Sequence, residues 1–146
     1  MTGLLVDSNV WLDVFEDDPV WGQWSEEMLE YYGATHTLCI DPVIYAEISV
    51  GFQRIEELEE AIAHSGVRML EIPREALFLA AKVFVAYRKR KGTKVSPLPD
   101  FFIGAHAAVE NLALLTRAVS RYKTYFPSVE LISPKGPGPR GQYPNN

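Results

Sequence analysis

Three acidic residues stand where a carboxylate is costly unless it is paired, hydrogen-bonded or bound to a metal ion. Asp7 directly ends an apolar run that is typical of a buried strand. Glu47 shares one face of a predicted helix with apolar residues that include Val50, and Asp100 opens another helix on a similar face. If the three carboxylates converge at one edge of a sheet, their mutual repulsion requires a cation. Such hard oxygen ligands suit Mg²⁺ or Mn²⁺.

Each acid also has a structural interpretation to be weighed against a metal site. Asp7 could cap the helix that follows it, and Asp100 could cap the helix that it opens. Glu47 lies in the middle of a helix, so capping does not explain it. The other acids near the N-terminus are expected at the surface or at helix caps. Among them Asp13, one turn beyond Asn9, is a weak candidate for the site.

Strands alternate with helices along the chain, which predicts a parallel sheet with helices on both faces. The predicted strands are residues 3–6, 37–40, 67–72, 112–115 and 129–132. The predicted helices are residues 9–15 (capped by Ser8 or Asn9), 18–33, 41–50, 55–64, 73–91 and 99–108. In open α/β sheets, ligands bind at the carboxyl ends of the strands, where Asp7 is expected. We expect one domain over residues 1–132 and a flexible tail, rich in Pro and Gly, over residues 133–146.

Composition limits the class of protein more than it indicates a function. The 146 residues are 47% hydrophobic and 23% charged, which is ordinary for a globular domain. The net charge of −5 does not by itself indicate a nucleic-acid binder, although a bound cation or a local basic patch can reverse the local field. The single cysteine, Cys39, excludes an intrachain disulfide and a multi-cysteine zinc site. No apolar segment has the length of a membrane span and no signal peptide is evident, so we expect a cytoplasmic protein with no membrane partner.

Five segments, in their order and spacing, resemble the PIN-domain ribonucleases of the VapC toxin type. They are residues 5–13 (Leu-Val-Asp-Ser-Asn-Val-Trp-Leu-Asp), 45–48, 99–107, 114–117 and 121–127. The resemblance extends over residues 4–132. It implies a PIN-like α/β three-layer sandwich with a central parallel five-stranded sheet. It also implies a metal-dependent endoribonuclease whose acidic pocket holds Mg²⁺ or Mn²⁺.

The resemblance assigns roles to individual residues. It implies that Asp7, Glu47 and Asp100 are catalytic and bind the metal ion, which would lower the pKa of a bound water that attacks an RNA phosphodiester. Glu47 would bind the ion directly or orient that water. Thr116 would hydrogen-bond a carboxylate or the phosphate. The supporting polar residues are Ser8 and Asn9.

One position departs from the family pattern, which has an acid directly after the segment that ends in Thr116-Arg117. This chain has Ala118 there, and no acid follows nearby. The chain is either a natural variant that works with three carboxylates or carries an engineered substitution that removes the activity of a toxin. In both cases we expect reduced or absent cleavage, with the fold and partner binding kept.

Partners are implied by the resemblance and by basic residues. Such toxins dimerise and are inhibited by a cognate VapB-type antitoxin, so we expect a homodimer, an antitoxin and an RNA substrate. The basic residues beside the predicted site are candidates for binding RNA or the antitoxin: Arg117, Arg121 and Lys123. A denser basic run, residues 88–91 with Lys94, is better explained as a solvated helix end. Aromatic residues of the first two predicted helices suit a core, or a groove for an antitoxin helix.

Two other functions compete with this interpretation. A non-catalytic PIN domain that binds RNA or an antitoxin would explain Ala118. A phosphatase of the haloacid-dehalogenase type also begins with Asp after a buried strand, but it requires a second Asp where Asn9 stands. His106, on an Ala-rich helix, is expected to be packed or hydrogen-bonded rather than a metal ligand.

Overall fold

A parallel sheet of five strands forms the centre of the protein. The computed structural model describes residues 2–94 and 98–134. The strands are β1 (Thr2–Val6), β2 (His36–Ile40), β3 (Arg68–Met69), β4 (Ala113–Leu115) and β5 (Leu131–Ile132). They lie in the order β3-β2-β1-β4-β5, and every neighbouring pair is parallel. The predicted α/β fold with five parallel strands is therefore confirmed.

The strand order places a switch point between β1 and β4. From β1 the chain builds outward through β2 to β3, and it then returns to the other side of β1 to form β4 and β5. Leu4 pairs with Ala113 and Val6 with Leu115, so the two strands end side by side. The segments that leave these two ends diverge, and the resulting crevice is where ligands bind in open α/β sheets.

Helices cover both faces of this sheet. In the described residues they are α1 (Ser8–Phe15), α2 (Gly22–Gly33), α3 (Pro42–Ile48), α4 (Ile55–Ser65), α5 (Arg74–Lys89), α6 (Pro99–Val109) and α7 (Ser120–Tyr125). Helix α1 packs on α2 and α3, whereas α6 packs on α5 and α7. Leu4, Leu5 and Val6 are all fully buried, and because their side chains alternate between faces, both faces of β1 are covered.

Local hydrogen bonding explains where the boundaries differ from those predicted. The first helix is capped by Asp7, not by Ser8 or Asn9. The second helix begins at Gly22 rather than Asp18, because the Asp18 carboxylate accepts the backbone N–H groups of residues 20 and 21 and closes a turn there. The third strand is two residues long, not six, since only residues 68–69 pair with β2. Helix α7 was not predicted.

Some predictions fall outside the part of the chain that the structure describes. They include the loop at residues 95–97 and the tail from residue 135 onward, so the division into a domain and a flexible tail stays a prediction. Within residues 2–94 and 98–134, none of the helices combines the length and apolar character needed to cross a membrane. Cys39 is buried in β2, as expected.

Candidate active site

Asp7 lies at the switch point, at the carboxyl end of β1. Its backbone N–H donates to the carbonyl oxygen of Leu115 (2.9 Å), which fixes it beside the end of β4. Its side chain is 3% exposed, and Oδ1 accepts the backbone N–H of Ser8 (2.8 Å) at the start of α1. Asp7 therefore has the capping role considered from the sequence, and it lies where β1 and β4 end side by side.

The second oxygen of Asp7, Oδ2, accepts three side-chain donors. The hydroxyl of Thr116 lies 2.8 Å away, the hydroxyl of Tyr122 2.9 Å and the amide nitrogen of Asn9 3.3 Å. Thr116 itself accepts from Asn9 Nδ2 (3.2 Å) and from the backbone N–H of Ala118 (3.1 Å). Because those two groups donate to Thr116, its single proton is directed at Asp7.

Glu47 is joined to Asp7 through Ser8. The Ser8 hydroxyl donates to Glu47 Oε1 (2.9 Å) and lies 3.4 Å from Asp7 Oδ1. Burial raises the pKa of Glu47, and the nearby charges of Asp7 and Asp100 raise it further, although the Ser8 hydrogen bond lowers it. The two carboxylates thus share one partly desolvated, negatively charged region.

The prediction that Glu47 shares an apolar helix face with its neighbours is wrong for Val50. We placed Val50 on this face, but Val50 is 85% exposed. The reason is that α3 ends at Ile48 and the chain continues as a 3₁₀ turn over Ser49–Gly51, which breaks the helical spacing. The buried face of α3 is formed by Ile44 and Ile48, and Glu47 lies beside it, half-buried.

Asp100 lies in the first turn of α6 and is held by an arginine of this chain. The cap position is Leu98, so the capping role considered for Asp100 is not found. A guanidinium nitrogen of Arg121 lies 3.3 Å from Asp100 Oδ2, and the side chains are 41% and 29% exposed. This is a partly exposed ion pair of the kind that contributes little to stability.

The charge balance of the site favours a cation. Burial raises the pKa of Asp7, and the negative charge of Asp100 raises it too, against hydrogen bonds from Thr116 and Tyr122 that lower it. A carboxylate whose ionised form is disfavoured in this way gains from a positive charge placed nearby. The charge of Asp100 thus acts on the pKa of both Asp7 and Glu47.

The donor set fits a divalent ion that retains its water ligands. Within residues 2–94 and 98–134, no three His, Cys, Asp or Glu side chains are gathered closely enough to form a metal cage. Mg²⁺ does not require one, because it is usually held by one or two carboxylates and keeps several waters. Asp7 and Glu47 supply such carboxylates. The negative charge of Asp100 raises the pKa of both.

Ala118 lines two cavities, one of which is bordered by Asp100. One, of about 620 Å³, is lined by residues that include Asn9, Ser120 and Lys123. The other, of about 460 Å³, is bordered by Asp100 and Arg121, and Ala118 and Ser120 line both. The position at which the family pattern has an acid is therefore open to both cavities, two residues after Thr116.

Arg117 has a structural partner that the sequence did not reveal. Its guanidinium contacts both oxygens of Asp13 (2.7 and 2.9 Å) and lies 5.1 Å from the centre of the Trp21 ring. Asp13 is 4% exposed and also accepts the hydroxyl of Ser25 (2.7 Å), so its predicted place at the surface or at a cap is wrong. The backbone N–H of Arg117 donates to Asn9 Oδ1 (3.1 Å), which ties this cluster to the site.

The remaining predicted residues are a buried histidine and basic residues at the surface. His106 is fully buried and its Nδ1 lies 2.9 Å from Asp41 Oδ2, which confirms a packed, hydrogen-bonded histidine. Lys123 is exposed on α7. Arg88, in the basic run, donates to backbone oxygens at the end of its own helix. Tyr122 is the site residue that sequence reasoning missed, because α7 was not predicted.

Comparisons with known proteins show the family and agree with the fold. The family model of the PIN domain matches residues 4–118. Among solved structures, VapBC2 from Rickettsia felis, bound to a DNA fragment from its promoter, is 18% identical with a TM-score of 0.67, over 90% of this chain and 98% of that one. DNA-bound VapBC from Salmonella typhimurium is 20% identical with a TM-score of 0.65, over 91% and 98% of the two chains. VapBC-1 from nontypeable Haemophilus influenzae is 17% identical with a TM-score of 0.67, over 90% and 98%. No curated protein matches the sequence.

Proposed function

The chain belongs to the PIN domain family, and we propose that it is the toxin of a VapBC-type toxin–antitoxin pair, an endoribonuclease that depends on Mg²⁺ or Mn²⁺. The observation that supports this most is the pair of carboxylates at the switch point, Asp7 and Glu47, which share the hydroxyl of Ser8 as a neighbour. The charge of Asp100 acts on the pKa of both. These partly desolvated carboxylates would bind a divalent ion, and that ion would activate a water for attack on the RNA backbone.

Different residues of this chain would bind the metal ion and hold its ligands in position during hydrolysis. Asp7, Glu47 and Asp100 would hold the ion, which when bound supplies an activated water and compensates the charge of the phosphate. Thr116 keeps Asp7 in place through its 2.8 Å hydrogen bond. Ser8 does the same for Glu47.

Two basic side chains beside the acids would bind the RNA phosphates. Arg121 pairs with Asp100 in this structure, and it becomes available for a phosphate once that carboxylate is engaged by a cation. Lys123 borders the larger cavity. Contacts of this kind give affinity that falls with salt and is insensitive to sequence.

The assignment is tested by restoring the missing acid. We expect the parent chain to cleave RNA weakly or not at all, and Ala118→Asp to cleave it in Mg²⁺ or Mn²⁺ but not in EDTA. Ala118→Asn is the matched control, since it has nearly the same size without the charge. Asp7→Asn in the Ala118→Asp background should abolish cleavage. Equal activity of parent and Ala118→Asp would refute the role of the missing acid, and no cleavage by any variant would refute the nuclease.

The proposal extends to partners and location. The similar structures of the VapBC type are toxin–antitoxin complexes, and we propose a VapB-type antitoxin for this chain as well. A homodimer and a cytoplasmic location stay predictions. Light scattering of the purified chain, alone and co-expressed with a small protein encoded beside it, measures both assembly states.

One observation favours a second candidate function. With Ala118 in place and no cage of three acids among the described residues, the chain could bind RNA or an antitoxin without catalysis. Calorimetry with Mn²⁺ distinguishes the two, because a non-catalytic PIN domain has no need to bind the ion. Membership of the PIN domain family leaves the phosphatase alternative without support.

A further inference from the structure

The hydroxyl of Tyr122 reaches the Asp7 carboxylate from inside the protein. Tyr122 is fully buried on α7, and its hydroxyl donates to Asp7 Oδ2 over 2.9 Å. A buried phenol must find an acceptor to avoid the cost of desolvation, and here it uses the carboxylate at the end of β1. A phenylalanine would fill the same space without this bond, so the hydroxyl is the part of Tyr122 that packing does not explain.

The donors around Asp7 are distributed unequally between its two oxygens. Oδ2 accepts the hydroxyls of Thr116 and Tyr122 and the more distant amide of Asn9. Since a carboxylate oxygen has about two lone-pair sites, Oδ2 is fully engaged. Oδ1 accepts one short bond, from the backbone of Ser8 (2.8 Å), and so it retains a free lone pair.

The free oxygen is also the one on the side of Glu47. The Ser8 hydroxyl lies 3.4 Å from Asp7 Oδ1 and 2.9 Å from Glu47 Oε1, and it carries a single proton, which the shorter distance assigns to Glu47. We propose that Tyr122 is a positioning residue that, with Thr116, holds Oδ2 of Asp7 so that Oδ1 is presented to a divalent ion. This rests on the metal site of the proposed function.

The phenol is suited to act as a permanent donor. A tyrosine hydroxyl has an ordinary pKa of about 10, so it carries its proton at neutral pH. The hydroxyl of Tyr122 therefore donates to Asp7 Oδ2. Outer hydrogen bonds of this kind orient metal ligands, and their loss typically weakens metal affinity about 10–100-fold.

The test compares Tyr122→Phe with the parent by calorimetric titration with Mn²⁺. The matched control is Tyr125→Phe, on the same helix, where Tyr125 has ring contacts with Tyr87 and Phe101. We expect Tyr122→Phe to bind Mn²⁺ about 10–100-fold more weakly, with Tyr125→Phe unchanged. Melting in EDTA gives the structural readout, and it should change far less than the affinity does.

The outcomes separate this inference from the function on which it rests. If the parent binds Mn²⁺ and Tyr122→Phe binds it equally well, the positioning role is refuted and the metal site stands. If the affinity falls only in proportion to a lowered melting temperature, or Tyr125→Phe weakens binding as much, Tyr122 has a merely structural role and the inference fails. If the parent binds no Mn²⁺, both the metal site and the role of Tyr122 are overturned.

Discussion

Replacing Arg117 with alanine should destabilise the fold, although its position beside the site suggests a role in RNA binding. The guanidinium forms a bidentate pair with Asp13, whose side chain is 5% exposed, whereas that of Arg117 is 23% exposed. Once Arg117 is removed, the Asp13 carboxylate is left in the interior with the hydroxyl of Ser25 as its donor among the described residues. An uncompensated buried charge is among the most costly defects of a folded protein.

The magnitude follows from this burial. Breaking a buried ion pair by removing one partner costs about 3–5 kcal/mol of folding stability. Because Arg117 is partly exposed, we expect a loss at the lower end, about 3 kcal/mol. The contact with the Trp21 ring adds a smaller loss of about 0.5–1 kcal/mol. In a domain of this size the total corresponds to a melting temperature lower by roughly 7–16 °C.

Urea unfolding and thermal melting of four proteins test this. Arg54→Ala is the control, since its pair with Glu56 is exposed and should contribute less than about 1 kcal/mol. Asp13→Asn combined with Arg117→Ala should be more stable than Arg117→Ala alone, because the asparagine accepts from Ser25 without a charge. A melting temperature of Arg117→Ala equal to that of Arg54→Ala, or a further loss in the double variant, would refute the reasoning.

Three more substitutions probe the packing and charge around the site. Gly104→Ala should cost about 1–3 kcal/mol in urea unfolding, because a Cβ there would lie 2.3 Å from the ring of Phe126; unchanged stability would contradict this packing. His106→Ala should cost about 1.5–3 kcal/mol by removing the hydrogen bond to the buried Asp41 carboxylate, and a loss below about 1 kcal/mol would count against that bond. Glu47→Gln should melt at a higher temperature than the parent in EDTA at neutral pH. The pKa of Glu47 is raised in the fold by burial and by its acidic neighbours, so its stabilising contribution is present at low pH and is lost as the pH rises through that value. The difference should vanish below pH 4, and a lower melting temperature at pH 7 would be the contrary result.

The features predicted correctly from the sequence are those that local patterns determine. Apolar runs bounded by polar residues located all five strands, and their alternation with helices predicted the parallel sheet. The acid at the end of β1 followed from that pattern, since Asp7 immediately follows Val6. Asp41-Pro42 predicted the start of α3, because an aspartate cap and a proline in the first turn are both local signals.

The features that were missed depend on pairs distant in the chain. Asp13 was placed at the surface or at a cap because its partner, Arg117, is 104 residues away. Tyr122 was not considered, since it meets Asp7 across 115 residues and lies on a helix of six residues without a clear start signal. No local pattern encodes such contacts; they exist because the strand order places the ends of β1 and β4 side by side.

That strand order also resolves the two interpretations of Asp7. A cap and a metal ligand were treated as alternatives, but the carboxylate has two oxygens with different surroundings. Oδ1 accepts the N–H of Ser8 and keeps a lone pair, whereas Oδ2 accepts the hydroxyl of Thr116, directly after β4, and that of Tyr122 on α7. Capping therefore fixes Asp7 at the switch point and leaves it able to bind an ion. For the same reason, a variant at Asp7 changes the start of α1 and the charge of the site together, so variants at Tyr122 and Ala118 test the chemistry more cleanly.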